Sequence, residues 1–280
     1  MPDSTRSMPD APARAGTDSP LAAAVAQRDR ATLKMVADAV ARKQVVLAYQ
    51  PVMQAKTPAN VAFYEGLIRV LDETGRIIPA RDFIDAIETR ELGRDIDCLA
   101  LETGLAALAE HPDLRLSINM SARSIGYPRW IRALDAGLAR DPTVAERLIL
   151  EITESSAMLV PEIVVAFMDD AQARGISFAL DDFGAGYTAF RHFKEFFFDI
   201  IKIDGQFVRG IADDPANQVL TRALVSIAQH FDMFTVAESV ETAEDARFLI
   251  AAGVDCLQGY YFGAPTIRPA WQGTPARKLA

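Results

Sequence analysis

Five carboxylates in this chain recur at one kind of place, in or just after a short apolar, β-branched run. Glu65 lies within the run 61–70, Glu151 near the end of 148–153, Asp181 and Asp182 just after 176–180, and Glu238 just after 234–237. Asn119 and Lys202 stand at the ends of two further runs, 114–120 and 200–203. Acids often end strands merely because strand ends are exposed, but this set spans six runs and includes an amide and an ammonium. Gathered on one face, these carboxylates repel one another unless cations neutralise them. An oxygen-rich donor set suits Mg²⁺ or Mn²⁺, and adjacent acids such as Asp181 and Asp182 can bridge two ions or hold them separately. Phosphodiester hydrolysis is the natural chemistry of such a site. Two ions roughly 3.5–4 Å apart bind the phosphate, activate water and stabilise the leaving oxygen. Lys202 is then placed to orient that water or to offset phosphate charge.

The elements that must position these groups follow from the same pattern. Strands are predicted at 45–49, 61–70, 114–120, 148–153, 176–180, 200–203, 234–237 and 254–257. Helices are predicted at 80–89, 93–110, 128–139, 161–174, 216–230 and 243–251. Parallel strands need such crossovers, and repeated β-α units closing on themselves give an α/β, TIM-like (β/α)8 barrel, whose active site collects at the C-terminal strand ends. The link 51–60 holds two prolines, Pro51 and Pro58, and is too short for a crossover helix, so the first strand is predicted to run antiparallel. Residues 1–19, rich in Pro, Ser, Asp and Ala, read as a flexible tail. Residues 20–43 read as a helix leading into the barrel, with Leu33, Val36, Ala37 and Val40 on its apolar face. The barrel domain is set at 44–267, followed by a C-terminal tail at 268–280.

Composition narrows the partners. The 280 residues are 50% hydrophobic and 24% charged, enough for one large core, and the net charge of −9 opposes attraction to a DNA or RNA backbone. A small phosphorylated ligand remains compatible if cations mediate. No apolar run approaches the roughly 18 residues of a membrane span, and the N-terminus lacks a secretory pattern, so a cytoplasmic location is expected. Cys98 and Cys256 lack metal-ligand spacing and are expected to be buried free thiols.

Read in order, the motifs resemble those of the EAL-domain cyclic di-GMP phosphodiesterases. They are Tyr49-Gln50-Pro51; Tyr64-Glu65-Gly66-Leu67 followed by Arg69; Ile118-Asn119-Met120-Ser121; Leu150-Glu151-Ile152-Thr153-Glu154; Asp181-Asp182-Phe183-Gly184-Ala185-Gly186-Tyr187; Ile201-Lys202-Ile203-Asp204; Ala237-Glu238-Ser239-Val240-Glu241-Thr242; and Gln258-Gly259-Tyr260. The resemblance runs from about residue 44 to 265. It implies hydrolysis of cyclic di-GMP to linear pGpG with two Mg²⁺ or Mn²⁺ ions. Glu65, Asn119, Glu151 and Asp181 then resemble ligands of one ion, and Asp181, Asp182 and Glu238 those of the second, partly through water. Lys202 resembles the partner of the attacking water. Glu241 and Gln258 match further active-site positions, Gln50, Leu67 and Arg69 match substrate contacts, and Glu154 resembles the acid that holds the loop 181–187. The resemblance also implies a homodimer and leaves room for a regulatory protein partner.

Three departures stand out. Gly66 replaces the family's usual alanine and is expected to loosen its strand. Ser239 stands where glycine is usual and is expected to crowd the position beside Glu238. The aromatic segment 193–198 replaces a common leucine-proline pair, and reads either as core packing or as an altered dimer or partner surface. Rival functions are a catalytically weak or inactive cyclic di-GMP receptor, a protein-binding scaffold, and NAD binding through the glycine pattern at 184–189 with Asp204 downstream. Asp181 and Asp182 oppose that last reading, since they would repel a pyrophosphate. His111, His192 and His230 share no spacing with a nucleophile.

Overall fold

The computed structural model describes residues 20–184 and 196–272. Its strands are β1 Val45–Gln54, β2 Val61–Leu71, β3 Ile77–Pro79, β4 Leu116–Asn119, β5 Leu148–Thr153, β6 Ser177–Phe183, β7 Ile200–Ile203, β8 Phe234–Ala237 and β9 Cys256–Gln258. They form one sheet in the order β1-β9-β8-β7-β6-β5-β4-β2-β3, and a further β1–β2 pairing closes eight of them into a barrel, with β3 a short addition on β2. From β2 through β4 to β9 the ring pairs are parallel. β1 is antiparallel to both neighbours, as the short 51–60 link predicts. The described helices are α1 Pro20–Ala41, α2 Ile84–Ile87, α3 Glu91–Glu110, α4 Pro128–Arg140, α5 Glu154–Ala157, α6 Pro161–Ala173, α7 Gly205–Val208, α8 Pro215–His230 and α9 Ala243–Ala251. None of them is long and apolar enough to cross a membrane.

Strand alternation sorts the side chains into two environments. In β5, Leu148, Leu150 and Ile152 join the large core shared with the helices, whereas Ile149 belongs to a separate buried cluster. That second cluster takes one residue from each of six strands, Val52, Phe63, Ile149, Ala179, Ile200 and Val236, and plugs the barrel interior. A period of two then dictates what sits directly above the plug. Moving two residues toward the C-terminal mouth from Phe63, Ile149, Ala179, Ile200 and Val236 gives Glu65, Glu151, Asp181, Lys202 and Glu238. On the antiparallel β1 the same step runs backwards, from Val52 to Gln50. The barrel is therefore built in layers, apolar below and charged above.

Four local features differ from the sequence prediction. The first strand continues from residue 49 to Gln54 through Pro51, whose nitrogen lies on the side where Tyr49 bonds Thr266 rather than β2, so no β1–β2 ladder bond is lost. The predicted helix 80–89 is a short 3₁₀ turn, Ala80–Asp82, followed by the single turn α2. On α1 the buried positions are Val36 and Ala39, flanked by half-buried Leu33 and Val40, while Ala37 is exposed. Cys98 is buried as expected but Cys256 only partly so; both thiols are free, and burial pushes each up to about 11.

Gly66 is not a loose point in β2. A Cβ there would lie 2.7 Å from Ile118 Cδ1 and 3.1 Å from the Ser117 carbonyl oxygen, and a Cβ on Gly104 of α3 would also lie 2.7 Å from Ile118 Cδ1. The Ile118 methyl is thus wedged between two glycines and has nowhere to retreat. Gly66→Ala is expected to destabilise the chain by about 1 kcal/mol, the overpacking penalty outweighing the gain in strand propensity. Urea unfolding checks this: the midpoint falls with unchanged slope, and Ile118→Val in the same chain restores it.

Candidate active site at the barrel mouth

Lys202 Nζ, 1% exposed, is the hub of the upper layer. It lies 2.7 Å from Glu238 Oε1, 2.9 Å from Glu151 Oε2, 3.0 Å from Asp181 Oδ1 and 3.6 Å from Glu65 Oε2. Glu65 is held from its other side by Asn119 Nδ2 at 3.0 Å and Gln258 Nε2 at 2.5 Å. Gln258 Nε2 also donates to Gln50 Oε1 at 3.2 Å, and Gln50 Nε2 donates to the Gly263 carbonyl at 3.1 Å. Asn119 donates through its amide nitrogen to Glu65, and its carbonyl oxygen is the atom with ligand chemistry.

Regular alternation would turn Asp181 and Asp182 to opposite faces. Here β6 carries a bulge: Leu180 pairs with Ile201 and Phe183 with Ile203, so both aspartates face Lys202 alone, and Asp182 takes φ +56°. Aspartate tolerates that left-handed conformation better than most residues. The result is that Asp181, Asp182 and Glu238 each bring an oxygen within 4.8 Å of the others, a group that can hold a metal ion. Glu154, buried at the head of α5, accepts from the Gly184 N–H at 3.2 Å and so braces the end of the bulged strand. Residues 185–187 of the loop assigned to Glu154, most of the 184–189 glycine pattern, and His192 lie outside the described residues.

The charges do not balance within the protein. Five carboxylates and one ammonium leave four negative charges uncompensated when all are ionised, the amount two divalent cations carry. Glu151 Oε1 is buried and accepts no hydrogen bond among the described residues. The donor set therefore fits hard divalent cations. Burial, with the Glu65 and Asp181 charges, pushes Glu151 up to about 8 against the pull of Lys202. Burial also holds Glu238 well above the usual carboxylate range. Partial loss of water and the neighbouring Asp181 and Asp204 carboxylates push Asp182 up to about 6. Glu65 goes the other way: burial opposes its charge, but Lys202, Gln258 and Asn119 together hold it below the usual value. Burial likewise works against the Lys202 charge, and the Asp181, Glu151, Glu238 and Glu65 carboxylates outweigh it, keeping the ammonium well above the ordinary lysine value. In the cation-free chain Lys202 is thus an ammonium that donates to the carboxylates around it.

A cation held by these acids must displace the retained protons, so its affinity would depend on pH. Without cations, folded Glu151 keeps its proton to about pH 8, whereas the unfolded chain loses it near 4.5. Between those values the unfolded chain binds fewer protons, so stability falls as pH rises. Cations displace the retained proton and relieve that loss. Saturating Mn²⁺ is therefore expected to raise the melting temperature more at pH 8 than at pH 6; equal shifts at the two pH values would contradict this electrostatic picture.

Above the ring opens a cleft of about 300 Å³ lined by Gln50, Glu65, Leu67, Asp181, Glu238, Glu241 and Gln258 together with Arg209, Ser239 and Tyr260. Of the residues singled out in the sequence, Arg69 is half-buried, donates to the Ile68 carbonyl at 2.9 Å and does not line this cleft. Arg209 escaped sequence reasoning because nothing in its type or spacing marks an exposed arginine. Tyr260 lay within a quoted motif without a role. In the aromatic segment, Phe196 and Phe198 are buried and stack at 5.5 Å, as core packing requires, while Phe197 is 65% exposed. Phe193 lies outside the described residues.

The EAL domain family profile matches residues 33–265. The chain belongs to the EAL-domain family. Among curated EAL relatives, the cyclic di-GMP phosphodiesterase PdeF of Escherichia coli (strain K12) is 30% identical over 207 residues, covering 72% of this chain and 28% of PdeF. The bifunctional diguanylate cyclase/cyclic di-GMP phosphodiesterase MucR of Pseudomonas aeruginosa is 28% identical over 245 residues, 86% of this chain and 36% of MucR. The chain thus spans about a third of the length of these relatives. Among solved EAL structures, the PaMucR phosphodiesterase in complex with c-di-GMP superposes with a TM-score of 0.74 at 28% identity, covering 86% of this chain and 99% of that one. The Xanthomonas citri FimX EAL domain, in complex with c-diGMP, has a TM-score of 0.77 at 23% identity over 88% of this chain and 98% of its own, a likeness of fold.

Proposed function

We propose that this EAL domain hydrolyses cyclic di-GMP to linear pGpG with two Mg²⁺ or Mn²⁺ ions. The observation that carries the reading is the cluster of buried Glu65 and Glu151 and half-buried Asp181 and Glu238 around one ammonium, with exposed Asp182 beside it, four charges short of neutrality, at the mouth of a barrel whose relatives are named for this activity. Glu65, Asn119, Glu151 and Asp181 hold one ion, and Asp181, Asp182 and Glu238 the other. When bound, such ions neutralise the phosphate and lower the pKa of the attacking water.

The chain's own groups do the rest. Lys202 orients the water and stabilises the negative charge on the phosphoryl oxygens in the transition state. Water bonds to phosphorus as the P–O3′ bond breaks, and the proton lost by the water ends on the departing 3′ oxygen, with Lys202 and the carboxylates around it placed to relay it. Gln50, Leu67 and Gln258 contact the substrate from the cleft walls, Glu241 acts from the rim, and Arg69, outside the cleft lining, meets only a part of the substrate that extends beyond it. Ser239 meets the site at that rim, where its hydroxyl accepts from Arg209 Nη2 at 3.1 Å, and does not enter the ring of acids.

Chromatography of cyclic di-GMP incubated with the chain and Mn²⁺ tests the reading. Appearance of pGpG, abolished by chelator, is the expected result. Tight binding without product would instead favour a receptor, and neither binding nor product a protein-binding scaffold.

A further inference from the structure

The sharpest unassigned feature of the cleft is a cluster at its mouth. After Ile203, Asp204 accepts from the Gln206 N–H at 2.7 Å and starts the single turn α7, which delivers Arg209 to the rim. A Cβ on Gly205 would lie 2.5 Å from Ser239 Oγ, 2.8 Å from Ser239 Cβ and 3.2 Å from Arg209 Cζ. The Ser239 side chain and the Arg209 guanidinium therefore occupy the space that any other residue at 205 would fill. Ser239 holds φ +56°, a left-handed conformation that costs a non-glycine residue energy, with its hydroxyl on Arg209. On the other flank, Arg209 Nε stands 3.9 Å from Glu241 Oε1. Arg209 is 61% exposed, and Tyr260, on the same cleft, 62%.

We infer that Arg209, held by Ser239 over Gly205, is a specificity residue that reads, together with Glu241, a guanine base at the cleft mouth. The inference rests on the proposed substrate and adds how its base is chosen. A guanidinium beside a carboxylate offers a donor fork next to an acceptor pair. Guanine carries the complementary edge, with O6 and N7 accepting and the adjacent N1–H and N2–H₂ donating. Adenine fails both halves: it has an amino donor where guanine has O6, and no proton on N1. A phosphate is a poorer occupant, because Glu241 repels what Arg209 attracts, and phosphate binding falls to the acid ring below with its cations. Tyr260 supplies an exposed ring face on which a base can stack, a contact indifferent to base identity.

The test uses the full chain with Mn²⁺, reading KM and kcat for cyclic di-GMP and the inhibition constant of cyclic di-AMP. Arg209→Ala is expected to raise KM for cyclic di-GMP about tenfold or more, with kcat and the cyclic di-AMP constant each within about threefold of wild type. Arg209→Lys keeps the charge but loses the fork and should behave like the alanine variant. Gly205→Ala retains Arg209 yet pushes it and Ser239 aside, and should shift selectivity in the same direction. Equal weakening of both cyclic dinucleotides would make Arg209 a phosphate contact and overturn the inference, as would unchanged selectivity in Arg209→Ala. Those results, with wild-type turnover intact, leave the proposed function standing; absence of cyclic di-GMP binding and turnover in the wild type overturns both.

Discussion

Lys202→Met is expected to lower kcat by about 10²–10³-fold with little change in KM, and to destabilise the cation-free chain by about 3–5 kcal/mol. Methionine fills much the same volume without the charge. The kinetic loss follows because Lys202 Nζ is within 3.0 Å of Glu238, Glu151 and Asp181, below the cleft, where no other cation of the described chain can replace it. The stability loss follows because removing one partner of a buried ion cluster strands the others. It should be larger at pH 8 than at pH 6, since at the lower pH the orphaned acids escape the penalty by taking up protons. Urea unfolding in chelator at the two pH values checks this, and adding Mn²⁺ should recover part of the loss. Turnover within threefold of wild type would remove Lys202 from the mechanism.

Glu65→Gln is the second large effect, a turnover loss on the order of 10³-fold. The substitution keeps shape but sets a buried N–H₂ against a donor that Glu65 accepted, so urea unfolding of the same variant separates a fold defect from the kinetic loss. The substitution also removes one of the ring's charges, and the new amide must share its contacts with Asn119 Nδ2 and Gln258 Nε2, two donors that Glu65 accepts with two carboxylate oxygens. Mn²⁺ affinity should fall at least tenfold by calorimetry. Turnover and Mn²⁺ affinity near wild type in this variant would mean that Glu65 holds no ion.

How far the sequence reached is clearest at particular residues. The barrel was legible because the β-branched runs alternate with helical ones, and the antiparallel start because 51–60 cannot hold a crossover. Glu65, Glu151, Lys202 and Glu238 were legible as one set, since each stands in or just after an apolar, β-branched run and the C-terminal strand ends of a barrel share one face. Pro51 hid the last five residues of β1, because a proline ends a strand reading unless one knows that its nitrogen faces away from the paired neighbour. The run 80–89 has helical residues, and Phe83 and Ile87 are buried, but the extended φ of −141° at Phe83 splits it into a 3₁₀ turn and a single α turn. The β6 bulge that aims Asp181 and Asp182 together depends on register against β7, which no local pattern encodes. Gly66 and Gly205 were opaque for a related reason: their fit is set by Ile118 and Ser239, residues distant in sequence.

Hydrolysis in water enriched in ¹⁸O tests the central claim most directly. Cyclic di-GMP is incubated with the wild-type chain and Mn²⁺, and the product is read by mass spectrometry. The ring of acids around Lys202 predicts pGpG carrying a single ¹⁸O in its terminal phosphate, and no product in chelator. Intact cyclic di-GMP at saturating Mn²⁺, or a product free of ¹⁸O, would contradict it.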